Sequence, residues 1–138
     1  MAPLAESLLP ATEIPDLLIV ATGEGPDLER QLRELCPARP CHLSPSADEA
    51  LLALLERPFG LVICELDLGP GPGGLALRKY LQSCGPEIPF LLVSDRPPEA
   101  AMLGLPESQL RPAYIRRPFQ GPEFLVIVRE LLASGVNT

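Results

Sequence analysis

Strand-like and helix-like segments alternate five times along this chain. That order predicts an α/β domain with a doubly wound, five-stranded parallel sheet covered by helices on both faces. Two further observations support it. The strand candidates are short, continuously apolar runs, as expected for strands buried on both sides. The segments between them carry apolar residues three and four positions apart, which places those residues on one helical face. The length of 138 residues suits one domain, and no internal repeat is visible.

Residues 1–15 hold Pro3, Pro10 and Pro15 without a clear period, and read as a flexible leader before a domain spanning 16–133. The first strand covers 16–21 and breaks at 23–26. Pro26 suits the first turn of a helix, and Asp27 and Glu29 suit its positive end. Leu28, Leu32 and Leu35 share its apolar face, and the prolines at 37 and 40 end it. Residues 41–43 form a short second strand. Ser46 caps a helix over 47–56, whose apolar side is Leu51, Leu52, Leu54 and Leu55. The third strand, 59–65, runs into a Gly/Pro loop over 69–74. A third helix over 75–81 carries Arg78 and Lys79 outward. The fourth strand is 89–94, followed by a short helix over 98–103. The fifth strand, 113–117, is halted by Pro118. A last helix over 122–133 places Phe124, Ile127, Val128 and Leu131 on one side, and 134–138 is a frayed tail.

Composition removes several classes of function. The formal charge is −7 and no basic run occurs, which opposes binding to a nucleic-acid backbone. Cys36, Cys41, Cys64 and Cys84 form no C-x-x-C pair and His42 is the only histidine, so a zinc centre is not expected. Cys64 lies in an apolar run and reads as core, and the thiols are expected to be reduced. No apolar stretch reaches the roughly 18–20 residues of a membrane span. The N-terminus lacks a basic region before an apolar core. A cytoplasmic location with no membrane contact is therefore expected.

In doubly wound sheets, ligands bind beyond the carboxyl ends of the strands. That rule selects Ala21-Thr22, Glu65, Ser94 and Arg117. Two stretches meet there: Pro58-Phe-Gly-Leu-Val-Ile-Cys-Glu-Leu-Asp-Leu-Gly-Pro-Gly-Pro-Gly-Gly-Leu75 and Tyr114-Ile-Arg-Arg-Pro-Phe119. Together they make the chain resemble the receiver domains of bacterial response regulators, the CheY-like (flavodoxin-like) fold, over roughly residues 15–133. The resemblance implies strand order 2-1-3-4-5. It places Glu65 at the phosphoacceptor aspartate and Ala21 and Thr22 where the family carries two magnesium-binding acids. Arg117 stands at the family's lysine, Ser94 and Tyr114 stand at its switch positions, and Pro118 stands at its cis-linked proline. The loop carries Pro70-Gly71 and Gly74-Leu75 with one extra residue near Gly69.

The departures from that pattern shape the functional expectation. Magnesium needs a near-octahedral oxygen shell, usually anchored by carboxylates. Ala21 supplies no oxygen and Thr22 only a hydroxyl, so no magnesium or other cofactor is expected. Glu65 is one methylene longer than aspartate, and a misplacement of about 1 Å lowers a rate on the order of 100-fold. The planar fork of Arg117 suits a carboxylate, so a bidentate Glu65–Arg117 pair is expected to hold the site in one state. Glu24 or Asp67 could restore metal or phosphate binding; otherwise each is a solvated loop carboxylate. Ser94 could simply end its strand, and Tyr114 could pack on the last helix with its hydroxyl in water.

The resulting expectation is a pseudo-receiver with no catalytic residue. It would bind another signalling protein or a second copy through the region of Arg111, Arg116, Phe124 and Arg129. The alternative is an atypical but phosphorylatable receiver in a phosphorelay. A nucleotide binder or enzyme is less favoured. The Gly/Pro loop lacks the phosphate-binding pattern, its prolines remove N–H donors, and His42 lies away from the crevice.

Overall fold

The apolar runs form a single parallel sheet in which the two shortest strands take the edges. Its strands are β1 (Asp16–Val20), β2 (Cys41–Ser44), β3 (Phe59–Glu65), β4 (Phe90–Ser94) and β5 (Ala113–Arg116). Their order is β2-β1-β3-β4-β5, as expected. The helices are α1 (Gly25–Leu35), α2 (Ala47–Glu56), α3 (Gly74–Cys84) and α4 (Gly121–Val136). This computed structural model describes residues 16–23, 25–35, 40–69, 71–85, 87–97 and 113–136. The leader over 1–15, the short helix expected over 98–103, and the candidates Glu24 and Arg111 lie outside the described residues. Among the described residues no helix is long and apolar enough to cross a membrane.

Alternate residues of each inner strand enter opposite cores, which is why those strands read as unbroken apolar runs. On one face Leu18, Val20, Val62, Cys64 and Leu92 meet Ala47, Ala50, Ala53 and Leu54 of α2 and Leu77 and Leu81 of α3. On the other, Leu17, Ile19, Leu61, Ile63, Leu91, Val93 and Ile115 meet Leu28 of α1 and Phe124, Val128 and Leu132 of α4.

Helix α2 begins and ends where the sequence predicts, and the Ser46 hydroxyl accepts the Glu49 N–H at 3.2 Å. Its buried side differs from expectation. Leu54 is buried, but three alanines make most of the close approach, and Leu52 and Leu55 face solvent. Helix α3 starts one residue earlier than predicted and runs three residues further, to where the Gly85 N–H bonds the Leu81 carbonyl. Arg78 is buried rather than turned outward. Burial lowers its guanidinium pKa. Lys79 is exposed as expected. Helix α4 continues to Val136, so residues 134–136 extend it rather than fray from it.

Phe124 requires a correction. It was expected on the partner surface, yet it is fully buried. Positions 124, 128 and 132 recur every fourth residue and form the stripe that α4 lays on the sheet. Phe119 stacks on Phe124 with centroids 5.2 Å apart.

Candidate functional site

Parallel register brings four strand ends to one level. Glu65, the last residue of β3, pairs with Val93, and Ser94, the last of β4, pairs with Arg116. The Ala21 N–H bonds the Ser44 carbonyl at 3.0 Å, and the Arg117 N–H bonds the Ser94 carbonyl at 2.8 Å. Thr22, Glu65, Ser94 and Arg117 therefore line one crevice.

Glu65 is buried, with 7% of its surface exposed, and both of its oxygens accept hydrogen bonds. Oε1 accepts the Thr22 backbone N–H at 2.8 Å and lies 3.4 Å from the Thr22 hydroxyl. Oε2 accepts from Arg117 Nη2 at 2.6 Å. The expected Glu65–Arg117 contact is thus present, with a different geometry. The arginine fork is divided, since Nη1 lies 3.5 Å from Asp95 Oδ1. With Oε1 already taken by Thr22, the two nitrogens serve two carboxylates. Ala21 turns its methyl into the core, and its side chain offers no polar group.

Beside this pair, the segment after β4 is stitched to its neighbours. Ser94 is buried, and its hydroxyl accepts the Arg96 N–H at 3.1 Å. The Tyr114 hydroxyl donates to the Arg96 carbonyl at 2.6 Å. Tyr114 packs on the core under α2 and α3, not on the last helix, because its alternation along β5 points it to that face. Arg116 Nε donates to the Asp95 carbonyl at 3.1 Å. Arg96 Nη2 contacts both oxygens of Asp67, at 2.8 and 2.7 Å. Asp67 is exposed and points at this arginine, and the β3 register leaves Glu65 at the strand end. Sequence reasoning missed Asp95 and Arg96. The available signal was their position directly after Ser94, at the mouth of the crevice.

Cys64 donates its thiol to the Glu65 carbonyl at 3.2 Å. Burial first, and the Glu65 carboxylate second, push its pKa well up, so it stays a protonated core thiol. His42 sits in mid-strand on β2 with Nδ1 2.7 Å from Arg57 Nη2, away from the crevice.

The Gly/Pro loop leads from β3 to α3. Gly69 and Gly71 have φ of +77° and +95°, the left-handed region that favours glycine. Gly74 lets α3 start against β3: a Cβ there would lie 2.6 Å from the Glu65 carbonyl oxygen and 2.8 Å from Leu92 Cδ2. Gly74→Ala is expected to lower stability by about 1–3 kcal/mol, because backbone must move to admit the methyl. A urea titration measures it; an unchanged midpoint would show that the loop absorbs the methyl freely.

The fold is similar to solved receiver structures. A putative response regulator from Chloroflexus aurantiacus is 25% identical, with 88% of this chain and 99% of that chain covered and a TM-score of 0.74. The signal receiver domain of an HD domain-containing protein from Pseudomonas fluorescens is 23% identical, with 94% of each chain covered and a TM-score of 0.71. The receiver domain of NtrX from Brucella abortus is 21% identical, with 86% and 98% covered and a TM-score of 0.70. No protein-family model and no curated protein matches the chain.

Proposed function

We propose that this chain, which has the CheY-like receiver fold, is a phosphorylation-independent pseudo-receiver of two-component signalling that acts by binding another protein. One observation carries the reading. The carboxylate at the phosphoacceptor position is buried and already engaged on both oxygens, by the Thr22 N–H and by Arg117. A nucleophilic carboxylate needs a free oxygen facing the phosphoryl group and a cation beside it. Here the cation is the guanidinium itself.

The donor set does not fit magnesium. The Ala21 side chain carries no oxygen, and Thr22 presents its N–H to Glu65. Asp67 is paired with Arg96. No step through a metal ion is assigned. The Glu65–Arg117 pair instead holds the crevice in one geometry, and such a pair contributes little net stability because desolvation offsets its attraction.

For the binding surface, the exposed Arg116 and Arg129 support a site for an acidic partner or a second copy along β5 and α4. Phe124 belongs to the core beneath that surface. An NMR titration with magnesium and then beryllofluoride tests the central claim, with a phosphorylatable receiver run in parallel. The amides of Thr22, Glu65, Ser94 and Arg117 are expected to stay in place. A saturating shift centred on Glu65 would restore the working-receiver reading.

A further inference from the structure

Helix α2 carries an apolar strip that the fold leaves uncovered. Leu52 is 62% exposed and Leu55 is 75% exposed. They lie three residues apart, and half-buried Leu51 packs beside them at the edge of the core. Single exposed leucines are ordinary. This pair differs because of what frames it. Asp48 lies one turn before Leu52 and Glu56 one turn after it, so Asp48, Leu52 and Glu56 form one row along the helix. Glu49 flanks the row, and all three acids are exposed. The helix contains no lysine or arginine. Its buried side is complete without these leucines, since Ala47, Ala50, Ala53 and Leu54 meet the sheet.

We infer that the outer face of α2 docks a basic amphipathic helix of a partner protein. The partner's apolar residues cover Leu52 and Leu55, and its lysines or arginines meet Asp48, Glu49 and Glu56. Charge decides between occupants. A second copy docked through its own α2 would set acids against acids in either orientation, and like charges across an interface oppose association. A basic helix satisfies both the apolar strip and its acidic frame, because its own apolar residues three and four positions apart form a stripe that matches Leu52 and Leu55. This surface is separate from the crevice and from the arginines of β5 and α4. A failure here leaves the magnesium and beryllofluoride result untouched.

The test titrates the full chain with an amphipathic Leu/Lys helical peptide and with its Leu/Glu counterpart, read by NMR. The Leu/Lys peptide is expected to shift amides of α2, and the Leu/Glu peptide is not. Leu52→Ser with Leu55→Ser is expected to weaken binding about 10-fold or more. Val126→Ser, at an exposed apolar residue of α4, is expected to leave it unchanged. Asp48→Asn with Glu56→Gln is expected to weaken binding and flatten its salt dependence. Equal binding of both peptides, shifts away from α2, or no binding would overturn the inference. A concentration-dependent dimer that Leu52→Ser with Leu55→Ser abolishes would overturn it in favour of a second copy.

Discussion

Arg117→Ala is expected to lower the unfolding free energy by about 3 kcal/mol, toward the lower end of the range for breaking a buried ion pair. Glu65 is almost wholly buried, so losing the guanidinium leaves an uncompensated carboxylate beside the core. The Thr22 N–H continues to serve Oε1, and the 19% exposure of Arg117 shows that water can reach the gap. Both factors hold the loss below the upper limit. Replacing both partners, Glu65→Gln with Arg117→Met, is expected to lose much less, because no buried charge remains and the amide oxygen can still accept from Thr22. Unfolding in urea, a non-ionic denaturant that leaves the charges unscreened, separates the two cases, with Glu65→Gln and Arg117→Met made singly and together to complete the double-mutant cycle. If Arg117→Ala loses under about 1 kcal/mol, the pair behaves as a screened surface contact and the crevice is not locked.

Phe124→Ala is expected to lower stability by about 3–5 kcal/mol, the usual range for removing a fully buried phenylalanine. The ring belongs to the core cluster between α4 and the sheet, which also holds Leu61, Ile63, Val93 and Ile115, and Phe119 stacks on it. Arg129→Ala, five residues further on the exposed side of the same helix, is expected to change stability by no more than about 0.5 kcal/mol. The contrast is measurable by thermal or urea unfolding. Similar small losses at both positions would mean that α4 is loosely held and that Phe124 is available to partners after all.

Period and order made the sheet legible before any coordinates. Runs such as Leu61–Val62–Ile63 suit a strand buried on both faces, the inner strands β1, β3 and β4 all read that way, and their alternation with helix-like segments leaves few topologies. The Glu65–Arg117 contact was legible for the same reason. Strand ends in a parallel sheet converge, so residues 52 positions apart could be placed together. Helix faces were harder. In α2 the apolar arc spans more than one face: Ala47, Ala50, Ala53 and Leu54 make the buried stripe, and Leu52 and Leu55 fall outside it on the same helix. The Asp95–Arg96 segment was not legible, because its bonds to Asp67 in the loop after β3 and to Tyr114 and Arg116 of β5 start from a loop whose conformation no periodicity sets.

The stitching at the crevice also determines where the protein's field points. Glu65, Asp67 and Asp95 sit among Arg96, Arg116 and Arg117, so three negative charges meet three positive ones at the strand ends. The net charge of −7 therefore originates elsewhere on the surface. Field lines that in a magnesium-binding crevice would focus a divalent ion on the acceptor carboxylate close locally on the arginines. Part of the net negative charge lies on α2, where Asp48, Glu49 and Glu56 are exposed and the helix holds no basic residue.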